Sequence, residues 1–289
     1  MNKIFTIAIF GAKGMLGSAL HKKLEQQHTV IPLDIQDCDI ANFDQTLACF
    51  FNLPKIDIII NCAAFTDVEA SEAPANLTRL LKCNYYGPAN LAKIAKLYQC
   101  KLIHFSTDYV FDGSKSEPYE TMDDPNPINK YGWSKLLGER VIQEINNNSL
   151  ILRISWLYGS NGKNFVSTIL NVLRKADGKP IKVIDDQFGH PTATEDIAEL
   201  FHCQLATVVE VNGIEHLTHN SYTTWYHLAR FIAKEKSLDV DLIQPCMTEA
   251  YGFKAKRPRN SRLKQSYLNL SYWQNSVSRY LETIPREIS

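Results

Sequence analysis

Five short apolar runs in the first half of the chain, each followed by a stretch of helical periodicity, restrict this sequence to a small set of folds. The runs are Ile4–Phe10, Thr29–Asp34, Asp57–Cys62, Lys101–Ser106 and Ser149–Ile154. Between them, residues 15–27, 42–52, 75–98 and 127–146 repeat their apolar side chains at helical spacing. A strand that is apolar at nearly every position, rather than at alternate ones, has both faces buried. Such strands, alternating with helices, build a parallel sheet covered on two sides. The expected fold class is α/β, a Rossmann-type doubly wound sheet, with ligands at the carboxyl ends of its strands.

Beyond residue 155 the alternation loosens. Helical patterns cover 165–176, a stretch opening at Thr194 with Glu195 and Asp196 in its first turn, Ser221–Lys236 and 272–283; Ile181–Ile184 reads as a strand. Acidic groups suit a first turn because they face the positive end of the helix dipole. Neither repeats nor low-complexity tracts interrupt the chain.

The turn after the first strand reads Gly11-Ala-Lys-Gly14-Met15-Leu16-Gly17. Three glycines between a strand and a helix serve a tight turn, backbone approach to a pyrophosphate, and close helix–strand packing. Their spacing, GxxGxxG, points away from the medium-chain dehydrogenases. Asp34, at the end of the second run, has the carboxylate expected to accept from adenosine-ribose hydroxyls and to repel a 2′-phosphate. It tilts the expected cofactor, NADH or NADPH, toward NADH, while Lys13 partly offsets that repulsion. Asp39 and Ile40 are placed to flank the adenine. Ala63 and Ala64 follow the third strand, where small residues admit a cofactor. Residues 1–155 are therefore expected to form an NAD(P)-binding domain, and 156–289 a mainly substrate-binding region interleaved with it.

Tyr131-Gly-Trp-Ser-Lys135 puts a phenol and an amine one helical turn apart on one face. A free tyrosine has a pKa of about 10, and a neighbouring ammonium favours its ionised form, which predicts a phenol usable as an acid near neutrality. Thr107 falls at the carboxyl end of the fourth strand, within Ser106-Thr-Asp-Tyr-Val-Phe-Asp-Gly113, where its hydroxyl can meet a substrate carbonyl beside Tyr131. His104, inside that strand, reads as a core histidine rather than a catalyst.

Bulk properties narrow the function further. Lys plus Arg and Asp plus Glu number 31 each, so net charge gives no reason to expect nucleic acid or a membrane surface as partner. Seven cysteines, with no CxxC pair, imply neither a disulfide framework nor a zinc site, and no metal is expected. Ile4–Phe10 is too short to span a membrane and ends in glycines rather than a cleavage site, so the cytoplasm is the expected compartment.

Over almost its whole length the chain resembles the dTDP-4-dehydrorhamnose reductases, a family of extended short-chain dehydrogenases. The resemblance rests on GAKGMLG at 11–17, NCAAFTDVEASE at 61–72, STDYVFDG at 106–113, YGWSK at 131–135, RISWLYG at 153–159, NF at 164–165, DQFGHPT at 186–192 and RPRNSRL at 257–263. It implies reduction of the 4-keto group of dTDP-6-deoxy-L-lyxo-4-hexulose to dTDP-L-rhamnose. Tyr131 is then the proton donor and Lys135 its activator and a ligand of the nicotinamide ribose. Thr107 would tune the acid, and Thr107, Asp108, Tyr109 and Trp156 would border the sugar. Arg257 would meet the substrate diphosphate, as guanidinium matches phosphate geometry. Gly14, Met15, Leu16, Asp34, Asp39, Ile40, Ala64 and Thr66 would line the cofactor. His190 stands where the pattern has a small residue.

Two other readings stay open at this point, and a homodimer is left open with them. One is a related nucleotide-sugar reductase or epimerase. The other is a non-catalytic regulatory subunit resembling the β subunit of methionine adenosyltransferase, which would be expected to replace Thr107 and Trp156.

Overall fold

The computed structural model describes residues 3–284. The five expected runs form strands β1 (Thr6–Phe10), β2 (Thr29–Leu33), β3 (Ile58–Asn61), β4 (Lys101–Thr107) and β5 (Ser149–Ile154). A sixth strand, β6 (Gly213–His216), comes from the second half of the chain. The sheet runs β6-β5-β4-β3-β1-β2 with every pairing parallel. In β3, β4 and β5 every residue is buried, as their continuous apolar runs require.

Among the described residues eight longer helices accompany the sheet: α1 (Met15–Leu24), α2 (Phe43–Asn52), α3 (Gly87–Leu97), α4 (Lys130–Ile145), α5 (Phe165–Arg174), α6 (Thr194–Val208), α7 (Trp225–Glu235) and α8 (Trp273–Thr283). One face of the sheet packs Ile7, Ile9, Ile103 and Leu152 against Leu20 of α1 and Ile197 and Phe201 of α6. The other face packs Ala8, Ile59 and Ile151 against Phe50 of α2, Leu91 and Ile94 of α3 and Ile142 of α4. A separate cluster gathers Leu170 of α5, Ile232 of α7 and Val277 of α8 over Val183. Among the described residues no helix is long and apolar enough to cross a membrane.

Helix starts follow their caps. Asn129 accepts from the Gly132 N–H and opens α4 three residues later than the apolar pattern suggests. Thr224 likewise opens α7, so Ser221 lies outside it. The expected helix over 75–98 is broken, because a π-helical turn at Lys82–Tyr86 inserts between Leu77–Leu81 and α3. The wide turn carries buried Asn84, whose side chain accepts from Phe65 N at 2.8 Å and donates to Phe65 O at 3.1 Å and Ser134 Oγ at 2.9 Å. Extra residues of this kind in a helix re-aim a side chain and recur beside functional sites.

Candidate active site

The carboxyl ends of β1, β3, β4 and β5 open into a cleft of about 670 Å³. At one end lies the glycine turn. Gly11 has φ +74°, which favours glycine, and a Cβ on Gly17 would sit 2.2 Å from the Gly11 carbonyl oxygen. Gly14 caps α1 with no side chain on the helix amides. A strand end, a helix start held against it by missing Cβ atoms and uncapped N–H groups fit a dinucleotide pyrophosphate. Gly14, Met15, Leu16 and Gly17 border the cleft with Ala64 and Thr66 across from them.

The other expected cofactor residues sit outside its walls. Gly11 and Ala63 set the turn, since a Cβ on Gly11 would lie 2.7 Å from Ala63 N. Asp34 accepts from the backbone N–H of Lys13 at 3.1 Å and of Ile35 at 2.9 Å, so its carboxylate ties the end of β2 to the glycine turn. Asp39 accepts from Ala41 N at 3.0 Å. Ile40 turns into the core, so close to Gly87 that a Cβ there would come within 2.7 Å of its Cδ1.

At the middle of the cleft Thr107, Tyr131 and Lys135 come together as expected. Thr107 Oγ1 donates to Asp108 Oδ1 at 3.1 Å and accepts from Tyr109 N at 3.2 Å. Ser155 Oγ donates to Asp108 Oδ2 at 3.1 Å. Burial pushes the Asp108 carboxyl up to about 6 against these hydrogen bonds, which favour its charged form. The Tyr131 phenol does not drop toward neutrality. Burial raises it to about 12, its contact with the Thr107 hydroxyl pulls it back, and the Asp108 charge raises it further. Lys135 Nζ, meanwhile, donates to the Phe105 carbonyl at 2.6 Å, and burial pulls its pKa down to about 8. The local spacing foresaw the shared face, and desolvation decided the charge states.

Beneath this centre Arg153 of β5 donates from Nε to Glu139 Oε1 at 3.0 Å and from Nη2 to Oε2 at 2.7 Å, and Ser106 donates to the same carboxylate. Both charged side chains are 1% exposed. The pair therefore joins α4, β4 and β5 directly under the residues that line the cleft.

Trp156 borders the far side in a left-handed backbone conformation (φ +45°), uncommon for a large side chain. Its ring stacks on Trp225 with centroids 3.5 Å apart and planes 10° from parallel. Gly189 lies against the ring so closely that a Cβ would reach 2.4 Å from Trp156 Cε2. Arg257 also borders the cleft, held by Glu69 Oε1 at 2.9 Å and lying 3.7 Å from the Phe253 ring centroid. The Tyr109 ring meets Tyr131 edge-on at 6.1 Å. His190 is buried behind Ser155, donating from Nδ1 to the Ser221 carbonyl at 2.8 Å.

Sequence reasoning missed Ser155, Lys163, Phe165 and Trp225, all of which border the cleft. Ser155 stood beside Trp156 in RISWLYG and could have been read there. Trp225 carries no local signal, since only the fold brings it to residue 156.

The family model described as RmlD substrate binding domain matches residues 5–285. The chain belongs to the dTDP-4-dehydrorhamnose reductase family. Among its relatives, a dTDP-4-dehydrorhamnose reductase of Burkholderia thailandensis is 34% identical over 276 residues, covering 91% of each chain. One from Shigella flexneri is 34% identical over 295 residues, with 96% of this chain and 97% of the relative covered. A solved structure of the Bacillus anthracis dTDP-4-dehydrorhamnose reductase in complex with NADP superposes with a TM-score of 0.89 at 30% identity, covering 98% of this chain and all of that one (100%). This dTDP-4-dehydrorhamnose reductase family member is thus an NAD(P)H-dependent oxidoreductase with the Rossmann-type sheet described above.

Proposed function

We propose that this chain reduces the 4-keto group of dTDP-6-deoxy-L-lyxo-4-hexulose to give dTDP-L-rhamnose, using NADH or NADPH. The observation that carries the reading is a single cleft holding the uncapped glycine turn, the Thr107–Tyr131–Lys135 centre and the Trp156 wall. The nicotinamide cofactor, when bound, supplies the hydride. Gly14, Met15, Leu16 and Gly17 would hold its pyrophosphate, and Lys135 its nicotinamide ribose. Tyr131 gives its phenolic proton to the carbonyl oxygen, and its raised pKa keeps that proton in place until charge develops there. Thr107 is the group that then stabilises the phenolate. Trp156 covers one face of the deoxysugar, and Arg257 meets the diphosphate, already oriented by Glu69 and Phe253. Thr107 and Trp156 both bordering the cleft favours a catalyst over a binding subunit. Seven free thiols suit a reducing compartment, and we place the protein in the cytoplasm.

The test mixes purified protein, reduced cofactor and the 4-keto sugar nucleotide and follows nicotinamide absorbance. Turnover is expected, and Tyr131→Phe should reduce it on the order of 10²–10⁴-fold while cofactor binding persists. Near-normal turnover by that variant would remove Tyr131 from the acid role.

A further inference from the structure

We propose that His104 is a positioning residue for Lys135, locked by Asn61 in the tautomer that presents an N–H to the lysine and so opposes its positive charge. The proposal rests on the reading that Lys135 serves Tyr131. It starts from the backbone. Ala63 N–H donates to Asn61 Oδ1 at 3.1 Å, which fixes the amide of this buried asparagine and turns its nitrogen toward His104. Asn61 Nδ2 lies 3.0 Å from His104 Nδ1. An amide nitrogen only donates, so Nδ1 accepts, and a neutral imidazole then carries its proton on Nε2. The imidazole is neutral, because burial and the lysine charge hold its pKa well below the usual histidine range.

Nε2 lies 3.4 Å from Lys135 Nζ, at the outer limit of a hydrogen bond. A neutral amine satisfies both of the neighbours found there, donating to the Phe105 carbonyl and accepting from His104. An ammonium has no lone pair for the second contact. Every link from Ala63 to Lys135 thus has its direction set by the one before.

The other groups around the lysine do not supply this effect. Cys62, after β3, and Cys83, in the π-helical turn, have thiols that burial pushes up and keeps neutral. Glu139, one turn further along α4, favours the ammonium, but Arg153 and Ser106 already occupy its carboxylate. Tyr131, one turn earlier, has a raised phenol and adds no charge. His104 is the group that supports the amine left when Lys135 passes a proton toward Tyr131. A lysine held this way exchanges its proton near neutrality.

The experiment uses the full chain without cofactor, labelled with ¹³C at lysine Cε and ¹⁵N in histidine, the Lys135 signal being assigned by its loss in Lys135→Arg. In the wild type the His104 ¹⁵N shifts should report a proton on Nε2, and Lys135 should titrate at about 8. His104→Gln can turn an amide oxygen to the ammonium. Asn61→Ser frees Nδ1 while its hydroxyl can still accept from Ala63. Each should move the Lys135 titration up by about one pH unit, with the fold verified by circular dichroism. A proton on Nδ1 in the wild type overturns the proposal, as does an unshifted titration in a folded variant. The histidine spectrum decides the matter even where neither variant folds. None of these readings uses substrate, so absent turnover would count against the proposed reaction and leave His104 to be judged separately.

Discussion

Glu139→Gln is the most telling single change for stability, because it alters one charge and almost no volume. The carboxylate sits 1% exposed against an equally buried Arg153 guanidinium, and Ser106 shares one of its oxygens. Three donors converge on it, from Arg153 Nε, Arg153 Nη2 and Ser106 Oγ. Glutamine offers one acceptor oxygen and a second donor, so at least one donor meets a donor. The guanidinium meanwhile keeps its charge, with the Phe111 ring 4.9 Å away offering little in place of the carboxylate. Breaking a buried pair by removing one partner costs about 3–5 kcal/mol. Unfolding a chain of 289 residues carries an entropy of roughly 0.6 kcal/mol per kelvin, so Tm should fall by about 5–8 °C. Differential scanning calorimetry at neutral pH measures this directly. The double change Glu139→Leu/Arg153→Met should recover most of the loss, since two desolvated charges leave together. A single variant that melts within about 1 °C of the wild type would refute the idea that the pair braces β4, β5 and α4.

Three other outcomes follow from the same structure. His190 and His216 are buried with pKa values lowered to about 4 and about 3, chiefly by desolvation. Their contribution is complete above the unfolded value and is lost as pH falls from about 6.5 through those folded values. Asp108, raised to about 6, acts in the opposite sense between about 4 and 6. Denaturant titrations between pH 4 and 6.5 should show stability falling with acid, and His190→Ala should flatten the slope by about 1.4 kcal/mol per pH unit; an unchanged slope excludes His190. Gly189→Ala should push the Trp156 indole off its position and lower kcat/KM for the sugar nucleotide by up to about 10²-fold, with NADH affinity kept; an unaffected kcat/KM argues against Trp156 as a sugar contact. Asp34→Ala should raise the NADPH/NADH ratio of kcat/KM, measured with both cofactors, and loosen the Lys13 turn it holds; a constant ratio means the carboxylate does not face the ribose.

What could be read in advance was local. A strand, three spaced glycines and a helix start occupy consecutive residues, and Tyr131 and Lys135 share a face because a helix repeats at that interval. What escaped depends on contacts distant in sequence. Gly213–His216 has too few apolar residues to declare itself, and becomes a strand only by pairing with β5. Arg257 finds Glu69 across 188 residues, and Trp225 meets Trp156 only in three dimensions. The π-helical turn was invisible because 75–98 keeps its helical periodicity through it, and the Asn84 contacts it carries reach Phe65 and Ser134, which are distant in sequence. That Ile40, expected at the adenine, packs into the core against Gly87 likewise depends on residues distant in sequence. The upward shift of the Tyr131 phenol is not legible for a related reason: spacing shows which groups are neighbours, whereas burial is a property of the finished fold.

The sixth strand has a consequence for how the chain comes off the ribosome. When 155 residues have been made, β5 exists, yet the strand that will lie beside it is about sixty residues from synthesis. Until then an apolar strand edge, with its row of amide and carbonyl groups, faces solvent with no neighbour on that side. The cover for the α1 face also arrives late, with Ile197 and Phe201 first and Leu268 and Leu270 near the end. A nascent chain paused in this interval offers an edge to any other such chain. Slowing translation between residues 155 and 216 should therefore increase aggregation, and supplying a chaperone that covers open sheet edges should reverse it.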